Sequence, residues 1–135
     1  MTTILGVDPG VQGAIAMICP MVEVWMMPDT PHDLSALLRT FDAATTRVYV
    51  EAVHSMPGQG VSSTFKFGMV YGQILGILAA YDLRHTLVTP AKWKTGLGLN
   101  GKPKSASKVL AQQLFGKVAS SEGKSEALLI AHFGH

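Results

Sequence analysis

Residues 4–18 have the sequence ILGVDPGVQGAIAMI, in which two β-type apolar runs flank an Asp-Pro-Gly turn. Val7 ends the first run and Ala14 opens the second. Proline presets the φ angle of a turn, and glycine accepts the positive φ that can follow it. The stretch predicts a β-hairpin whose first strand presents the carboxylate of Asp8 at the rim of a sheet, although an aspartate before Pro-Gly is also a common turn residue.

Length and composition predict one domain over residues 1–135. With 135 residues, 47% of them hydrophobic and 15% charged, the chain can bury one core and carries too little charge for disorder. No apolar run approaches the roughly 18 residues of a membrane span, and the N-terminus lacks a signal-peptide pattern. One cysteine, Cys19, excludes an internal disulfide. We therefore expect a protein of the reducing cytoplasm with no membrane partner.

The rest of the chain predicts an α/β fold with the element order βββαβαβαα. A helix precedes the fourth strand, so a right-handed crossover lays that strand parallel to the first. The expected sheet has three antiparallel strands followed by two parallel ones, with helices on its faces. The predicted elements after the hairpin are strand 22–27, helix 31–43 capped by Thr30, strand 47–51, helix 63–81, strand 83–88, a loop at 93–104, helix 106–115 capped by Ser105 and burying Val109, Leu110, Leu114 and Phe115, and helix 122–133 capped by Ser121.

The long helix contains three glycines at four-residue spacing, Gly68, Gly72 and Gly76. Each interior glycine costs about 1 kcal/mol of helix stability relative to alanine. A stripe of them indicates close approach of another element, either within the domain or across a dimer interface.

Acidic side chains end two strands and begin the last helix. Asp8 and Glu51 close strands that are expected to be parallel neighbours, so their carboxylates emerge at one edge. Glu122 and Glu126 lie one turn apart on one helix face. Converging carboxylates repel each other unless a hard cation such as Mg²⁺ binds their oxygens. Two such ions could support phosphodiester hydrolysis, with the lysine-rich 92–104 region holding a nucleic-acid backbone.

Simpler interpretations of these residues remain open. Glu122 also suits a helix N-terminus through the helix dipole. Glu126 also fits a solvated acid, and the lysines fit an ordinary charged surface. His54, three residues after Glu51, could transfer a proton or contact DNA.

Five segments, taken in order, carry a resemblance over residues 3 to about 134. They are ILGVDPG at 4–10, the strand ending at Glu51, PAKWK at 90–94, Lys104 before a helix, and GKSEALLIA at 123–131. Together they resemble the RuvC-type Holliday junction resolvases, above all their short bacteriophage branch. The resemblance implies an RNase H-like fold and a homodimer that nicks paired strands of four-way DNA junctions with Mg²⁺ or Mn²⁺. The expected location is the cytoplasm, that of a bacterial host if the protein comes from a phage.

The resemblance also implies roles for individual residues. Asp8, Glu51 and Glu126 match metal ligands of the family. Many members have aspartate three residues before the last acid, where this chain has Gly123, so Glu122 is the expected fourth ligand. The expected DNA contacts are Lys94, Lys102, Lys104 and Lys108, with His54 or Met56 as the residue that enters the junction centre.

Three other functions are weighed against this one. An Asp-x-Gly turn between strands also occurs in the phosphate loop of actin-like ATPases, but these need a second lobe that 135 residues cannot provide. Gly123 keeps open a catalytically inactive junction-binding protein of the same fold. A nuclease for other branched or flapped DNA is the third alternative.

Overall fold

A computed structural model describes residues 1–53 and 58–135 of the chain. Its centre is a five-stranded sheet in the order β3-β2-β1-β4-β5, in which β1, β2 and β3 are antiparallel neighbours while β4 and β5 run parallel to β1. This is the predicted mixed sheet, and the fold-class prediction is confirmed. The strands are β1 (Thr3–Asp8), β2 (Ala14–Cys19), β3 (Glu23–Met26), β4 (Thr46–Glu51) and β5 (His85–Val88).

Helices cover both faces of the sheet. One buried cluster joins α1 and α2 to the face that carries Leu5 and Val48, and the other joins α3, α4 and α5 to the face that carries Ala14 and Val88. None of the helices within the described residues is long and apolar enough to cross a bilayer. The helices are α1 (Pro31–Leu38), α2 (Val61–Ala80), α3 (Pro90–Gly96), α4 (Ser105–Phe115) and α5 (Glu122–Gly134), with a 3-10 turn at Gly116–Val118.

Helix α1 begins where the sequence predicts and ends earlier. Thr30 caps it, because the Thr30 hydroxyl accepts a hydrogen bond from the backbone N–H of Asp33 at 3.1 Å. The helix ends at Leu38 rather than at residue 43. Past that point the Thr40 hydroxyl donates to the Leu37 carbonyl at 2.7 Å, and such local side-chain bonds offer the backbone an alternative to further helical turns.

The predicted loop at 93–104 is wrong in its first part, because residues 90–96 form helix α3. Pro90 does not begin a loop after the fifth strand. It instead occupies the first turn of a helix, where proline has the right φ and its missing N–H costs nothing. The Thr89 hydroxyl caps this turn by accepting from the Lys92 backbone N–H at 3.2 Å.

Helix α4 buries only part of the face that its apolar pattern predicts. Leu110 and Phe115 are partly buried against the core. Val109 is 54% exposed and Leu114 is 45% exposed, whereas the fully or nearly buried positions are Ser107 and Ala111. Small side chains on that face let α4 lie close to its neighbours. Ser105 is the first residue of this helix and not its cap, which is Lys104.

Helix α5 lies directly against the central strand β1, and Gly6 makes this possible. A Cβ atom on Gly6 would lie 2.2 Å from the carbonyl oxygen of Ala127 and 2.5 Å from the backbone nitrogen of Ala131. Backbone atoms cannot move aside as a flexible side chain can. Glycine at this position therefore sets the depth at which α5 seats on the sheet, and with it the height of the acids on its first turns.

We expect Gly6→Ala to lower the free energy of unfolding by about 1–3 kcal/mol, because the added methyl overlaps the α5 backbone. Urea titration at a fixed protein concentration in EDTA measures the change. Gly10→Ala is the matched control, since a Cβ there meets its nearest atom at an ordinary 3.6 Å. Equal losses in the two variants would contradict the close approach of α5.

Candidate metal centre

Two of the predicted acids close neighbouring parallel strands. Asp8 is the last residue of β1 and Glu51 the last residue of β4. In the register of this pair Val7 lies beside Val50, so the next residue along each strand is the acid. Both side chains are half-buried at the carboxyl edge of the sheet. The strand-end geometry that the sequence predicts is therefore present.

Helix α5 brings Glu126 to the same edge. The Ser121 hydroxyl caps α5 by accepting from the Lys124 backbone N–H at 3.2 Å. Gly123 lies against the β1–β2 turn, because a Cβ there would be 2.3 Å from the carbonyl oxygen of Gln12. An aspartate at position 123, as in many members of the resembling family, would overlap that carbonyl in this chain. The first acid of α5 stands one residue earlier, at Glu122.

The electrostatics of Asp8 show that these carboxylates lie close together. Burial and, after it, the negative charges of Glu126, Glu51 and Glu122 raise the pKa of Asp8 from its ordinary value of 3.8 to about 8. A hydrogen bond to Glu126 acts in the same direction. One proton shared by two carboxyl groups is the expected response to repulsion between them.

The pKa values of Glu51 and Glu126 are both raised, and basic side chains partly offset the rise. Burial raises the pKa of Glu126, and so does the charge of Glu51, while Lys94 and Lys104 oppose the rise. Burial also raises the pKa of Glu51, while a hydrogen bond from Trp93 and the charge of Lys94 oppose it. The site therefore lacks positive charge, and a cation would supply it.

Glu122 lies at the solvent-exposed rim of the site. Its Oε1 accepts a hydrogen bond from Lys104 Nζ at 2.7 Å, and the two side chains are 54% and 76% exposed. Asp8 and Glu122 both line an open cleft of about 270 Å³. Two residues that the sequence analysis did not single out, Gln12 and Met26, share this cleft with Ser121, the cap of α5.

The carboxylates at this edge of the sheet are of the type that binds a hard divalent cation, but not all of them are close enough to share one ion. Carboxylate oxygens are the ligands that Mg²⁺ and Mn²⁺ prefer. Across residues 1–53 and 58–135, no three His, Cys, Asp or Glu side chains are placed to hold one ion. The hydrogen-bonded pair Asp8 and Glu126 is within reach of a single cation. A third ligand would have to come from Glu51 or Glu122, whose charges act on Asp8.

The predicted DNA contacts occupy different places around this site. Lys94 on α3 lies with its Nζ 5.5 Å from the centre of the Trp93 ring and acts on the pKa of both Glu51 and Glu126. Lys104 is at the rim, and Lys102 and Lys108 are exposed near the start of α4. His54 and Met56 lie outside the described residues, so their predicted roles stay predictions.

Sequence reasoning missed the contact between Trp93 and Glu51. The indole Nε1 of Trp93 donates a hydrogen bond to Glu51 Oε2 at 2.8 Å. The two residues are 42 positions apart, and no local pattern links them. The available signal was a tryptophan just after the strand next to Glu51, within a segment that was interpreted as a loop.

Solved structures of RuvC have a backbone similar to that of this chain. "T. thermophilus RuvC in complex with Holliday junction substrate" matches with a TM-score of 0.72, covering 98% of this chain and 92% of that one at 16% identity. "Thermus thermophilus RuvC structure" matches with a TM-score of 0.71 over the same shares of both chains, also at 16% identity. The chain has the RuvC fold.

The RuvC fold confirms the resemblance that the sequence motifs indicate, at the level of backbone architecture. No family model matches the sequence, and no curated protein sequence matches it. At 16% identity the likeness to RuvC shows the fold alone. The roles of the carboxylates are therefore argued from their burial, charge and contacts in this chain.

We expect Asp8→Asn to stabilise the protein in EDTA at neutral pH. The folded-state pKa of Asp8 is raised, so the ionised side chain destabilises the fold increasingly as the pH rises from about 4 to about 8, and asparagine removes that effect. A gain on the order of 1 kcal/mol would raise the melting midpoint by roughly 4 °C at pH 8 and vanish near pH 4. A difference between wild type and variant that does not change with pH would contradict the crowding of carboxylates around Asp8.

Proposed function

We propose that this protein is a divalent-metal-dependent endonuclease that hydrolyses phosphodiester bonds in branched DNA, with four-way junctions as the main substrate. The observation that supports the proposal is that Asp8, Glu51 and Glu126 lie at one edge of the sheet, near enough to act on one another's charge, in a RuvC fold. The T. thermophilus RuvC of the same fold was solved in complex with a Holliday junction substrate. Because the carboxylates could hold a catalytic metal ion, we propose that the protein cuts DNA as well as binding it.

Asp8, Glu51 and Glu126 would hold the cation, and Glu122 would join them as a fourth ligand from the rim. Bound there, one or two Mg²⁺ or Mn²⁺ ions would supply an activated water and stabilise the leaving oxygen of a phosphodiester. The chain itself holds half-buried carboxylates close enough to repel one another. Because a bound cation relieves this repulsion, the ionised carboxylates are more stable with the cation than without it.

Basic side chains next to the acids would hold the DNA backbone. Lys94 and Lys104 both oppose the rise in the pKa of Glu126, so their charges lie near the site where a scissile phosphate would bind. Lys102 and Lys108 extend the positive surface along the start of α4. Lysine contacts of this kind add affinity without sequence preference and weaken as salt rises.

A second copy of the chain is the proposed partner on helix α2. A Cβ atom on Gly68, Gly72 or Gly76 would meet nothing within 4 Å, so the glycine stripe does not serve packing within the described part of the domain. Of the two explanations left open by the sequence, this favours the dimer interface.

Large apolar side chains flank the glycines on this face of α2. Val61 is 88% exposed, Phe65 is 69% exposed and Met69 is 48% exposed. Exposed apolar surface of this kind marks interaction sites, and a stripe of glycines lets a second helix approach closely. A two-fold dimer would present two equivalent sites to the two strands that a resolvase must cut.

We expect Gly72→Leu to weaken self-association, because the added side chain holds the two α2 helices apart. Light scattering over a series of protein concentrations measures the shift from dimer to monomer. Lys66→Leu is the control, since it adds the same side chain on α2 outside the glycine stripe. If Gly72→Leu forms dimers as strongly as the wild type, this face of α2 is not the dimer interface.

We expect Asp8→Asn to reduce cleavage of a synthetic four-way junction at least 100-fold in Mg²⁺ or Mn²⁺, while junction binding is retained or tightened. Loss of a negative charge beside the phosphate explains the second effect. Gel assays with four-way, flapped and linear DNA, with and without EDTA, measure both. Asp42→Asn is the matched control, an exposed acid that does not line the cleft.

Three outcomes of these assays separate the alternatives. Undiminished cleavage by Asp8→Asn would overturn the proposed centre. Tight junction binding by the wild type without cleavage in either metal would identify an inactive junction-binding protein. Faster cleavage of flapped than of four-way DNA would identify a nuclease for other branched substrates.

A further inference from the structure

Helix α3 places a fully buried tryptophan against one of the candidate ligands. Trp93 is 0% exposed, and its Nε1 donates to Glu51 Oε2 at 2.8 Å. A buried indole N–H requires an acceptor, and a carboxylate is the strongest acceptor that a side chain offers. Because one oxygen of Glu51 is bound in this way, the other is left for an additional partner.

Two neighbouring elements fix the position of the indole. Helix α3 begins two residues after β5, and β5 pairs with β4 so that Val88 lies beside Glu51. The Ala52 backbone N–H donates to the Val88 carbonyl at 2.8 Å, which holds the two strand ends together. The donor and the acceptor of the Trp93–Glu51 bond therefore belong to adjacent, paired strand ends.

Helix α3 is also seated on the helix that carries Glu126. A Cβ atom on Gly96 would lie 2.4 Å from the Phe133 ring of α5, so the two helices approach closely at this point. The ring of Trp93 belongs to the same buried cluster as Leu128 and Leu129 of α5. The indole is thus held between the strand end that carries Glu51 and the helix that carries Glu126.

We propose that Trp93 is a positioning residue that holds the Glu51 carboxylate ready for a divalent cation, with Oε2 bound to the indole and the other oxygen available to the metal. The inference rests on the metal centre of the proposed function. A glutamate has several freely rotating bonds, and a fixed outer partner pre-organises it as a ligand. Trp93 touches no reacting atom, so its contribution is to the affinity and order of the site.

The proposal predicts that Trp93→Phe, which keeps an aromatic ring and removes the N–H, weakens Mn²⁺ binding by roughly 10-fold or more. Isothermal titration with Mn²⁺ and no DNA measures the dissociation constant. Glu51→Gln and the double variant complete a mutant cycle. Because Trp93 acts through Glu51, Trp93→Phe should cause no further loss in the Glu51→Gln background.

Two controls separate positioning from loss of packing. Trp25→Phe makes the same substitution at the other tryptophan, which contacts Phe41 on the opposite face of the sheet. Leu99→Ala loosens the cluster that contains Trp93 without touching Glu51. Both should keep the wild-type Mn²⁺ affinity, whatever their effect on the melting midpoint.

The Trp25→Phe protein also reports on the contact by fluorescence, since Trp93 is then its only tryptophan. Paramagnetic Mn²⁺ bound by Glu51 should quench this emission, with a midpoint equal to the titrated dissociation constant. Emission that does not respond while Mn²⁺ binds would contradict the placement of the ion beside Trp93.

The remaining outcomes distinguish this inference from the function on which it rests. Absence of Mn²⁺ binding by the wild type would overturn the metal centre and the role of Trp93 together. Wild-type affinity in Trp93→Phe, or an equal loss in the Glu51→Gln background, would overturn the role of Trp93 alone. A loss in Leu99→Ala as large as that in Trp93→Phe would assign the effect to packing and likewise overturn it.

Discussion

The seating of α5 on the central strand is the contact on which the rest of this molecule depends. Two glycines permit it, Gly6 beneath the middle of the helix and Gly123 at its first turn, each with carbonyl oxygen where a Cβ would stand. The contact brings backbone against backbone, so it fixes the height of the helix rather than leaving it to flexible side chains. Glu126 is thereby held within hydrogen-bonding distance of Asp8.

This arrangement is costly for the folded protein. Burial removes water from Asp8, Glu51 and Glu126 and raises the pKa of all three. The pKa values of Asp8 and Glu126 are raised further by neighbouring acids. A chain selected for stability alone would replace at least one of them by a neutral side chain. Retention of repulsive charge at one edge of an otherwise apolar sheet is the pattern expected where function opposes stability.

The sheet and the strand-end acids could be predicted from sequence because their causes are local. The Asp-Pro-Gly turn sets the hairpin, and a helix between strands sets the parallel crossover that places Glu51 beside Asp8. Ser121 signals the start of α5 through its side-chain cap. In each case a few neighbouring residues contain the physical reason for the structure.

The errors concern contacts between distant parts of the chain. Pro90 suits both a helix start and a break, and the Thr89 cap together with the seating of α3 on α5 selects the first. In α4, apolar periodicity favoured Val109 and Leu114 for burial, whereas close approach selected the small face around Ala111. At position 123 a Cβ would overlap the Gln12 carbonyl, a restriction that no local pattern shows. In α4 tertiary packing overrides the local apolar pattern, and at position 123 it restricts which side chain can fit.

The acids of the candidate centre come from β1, β4 and α5, so the site forms only when these three elements have come together. Asp8 and Glu126 are separated by about 120 residues of chain, so closing that loop has an entropic cost that local structure cannot offset. The hairpin and the pairing of β1 with β4 can form while Glu126 is still apart from Asp8 and Glu51. The full set of acids therefore comes together only when α5 has seated on the finished sheet.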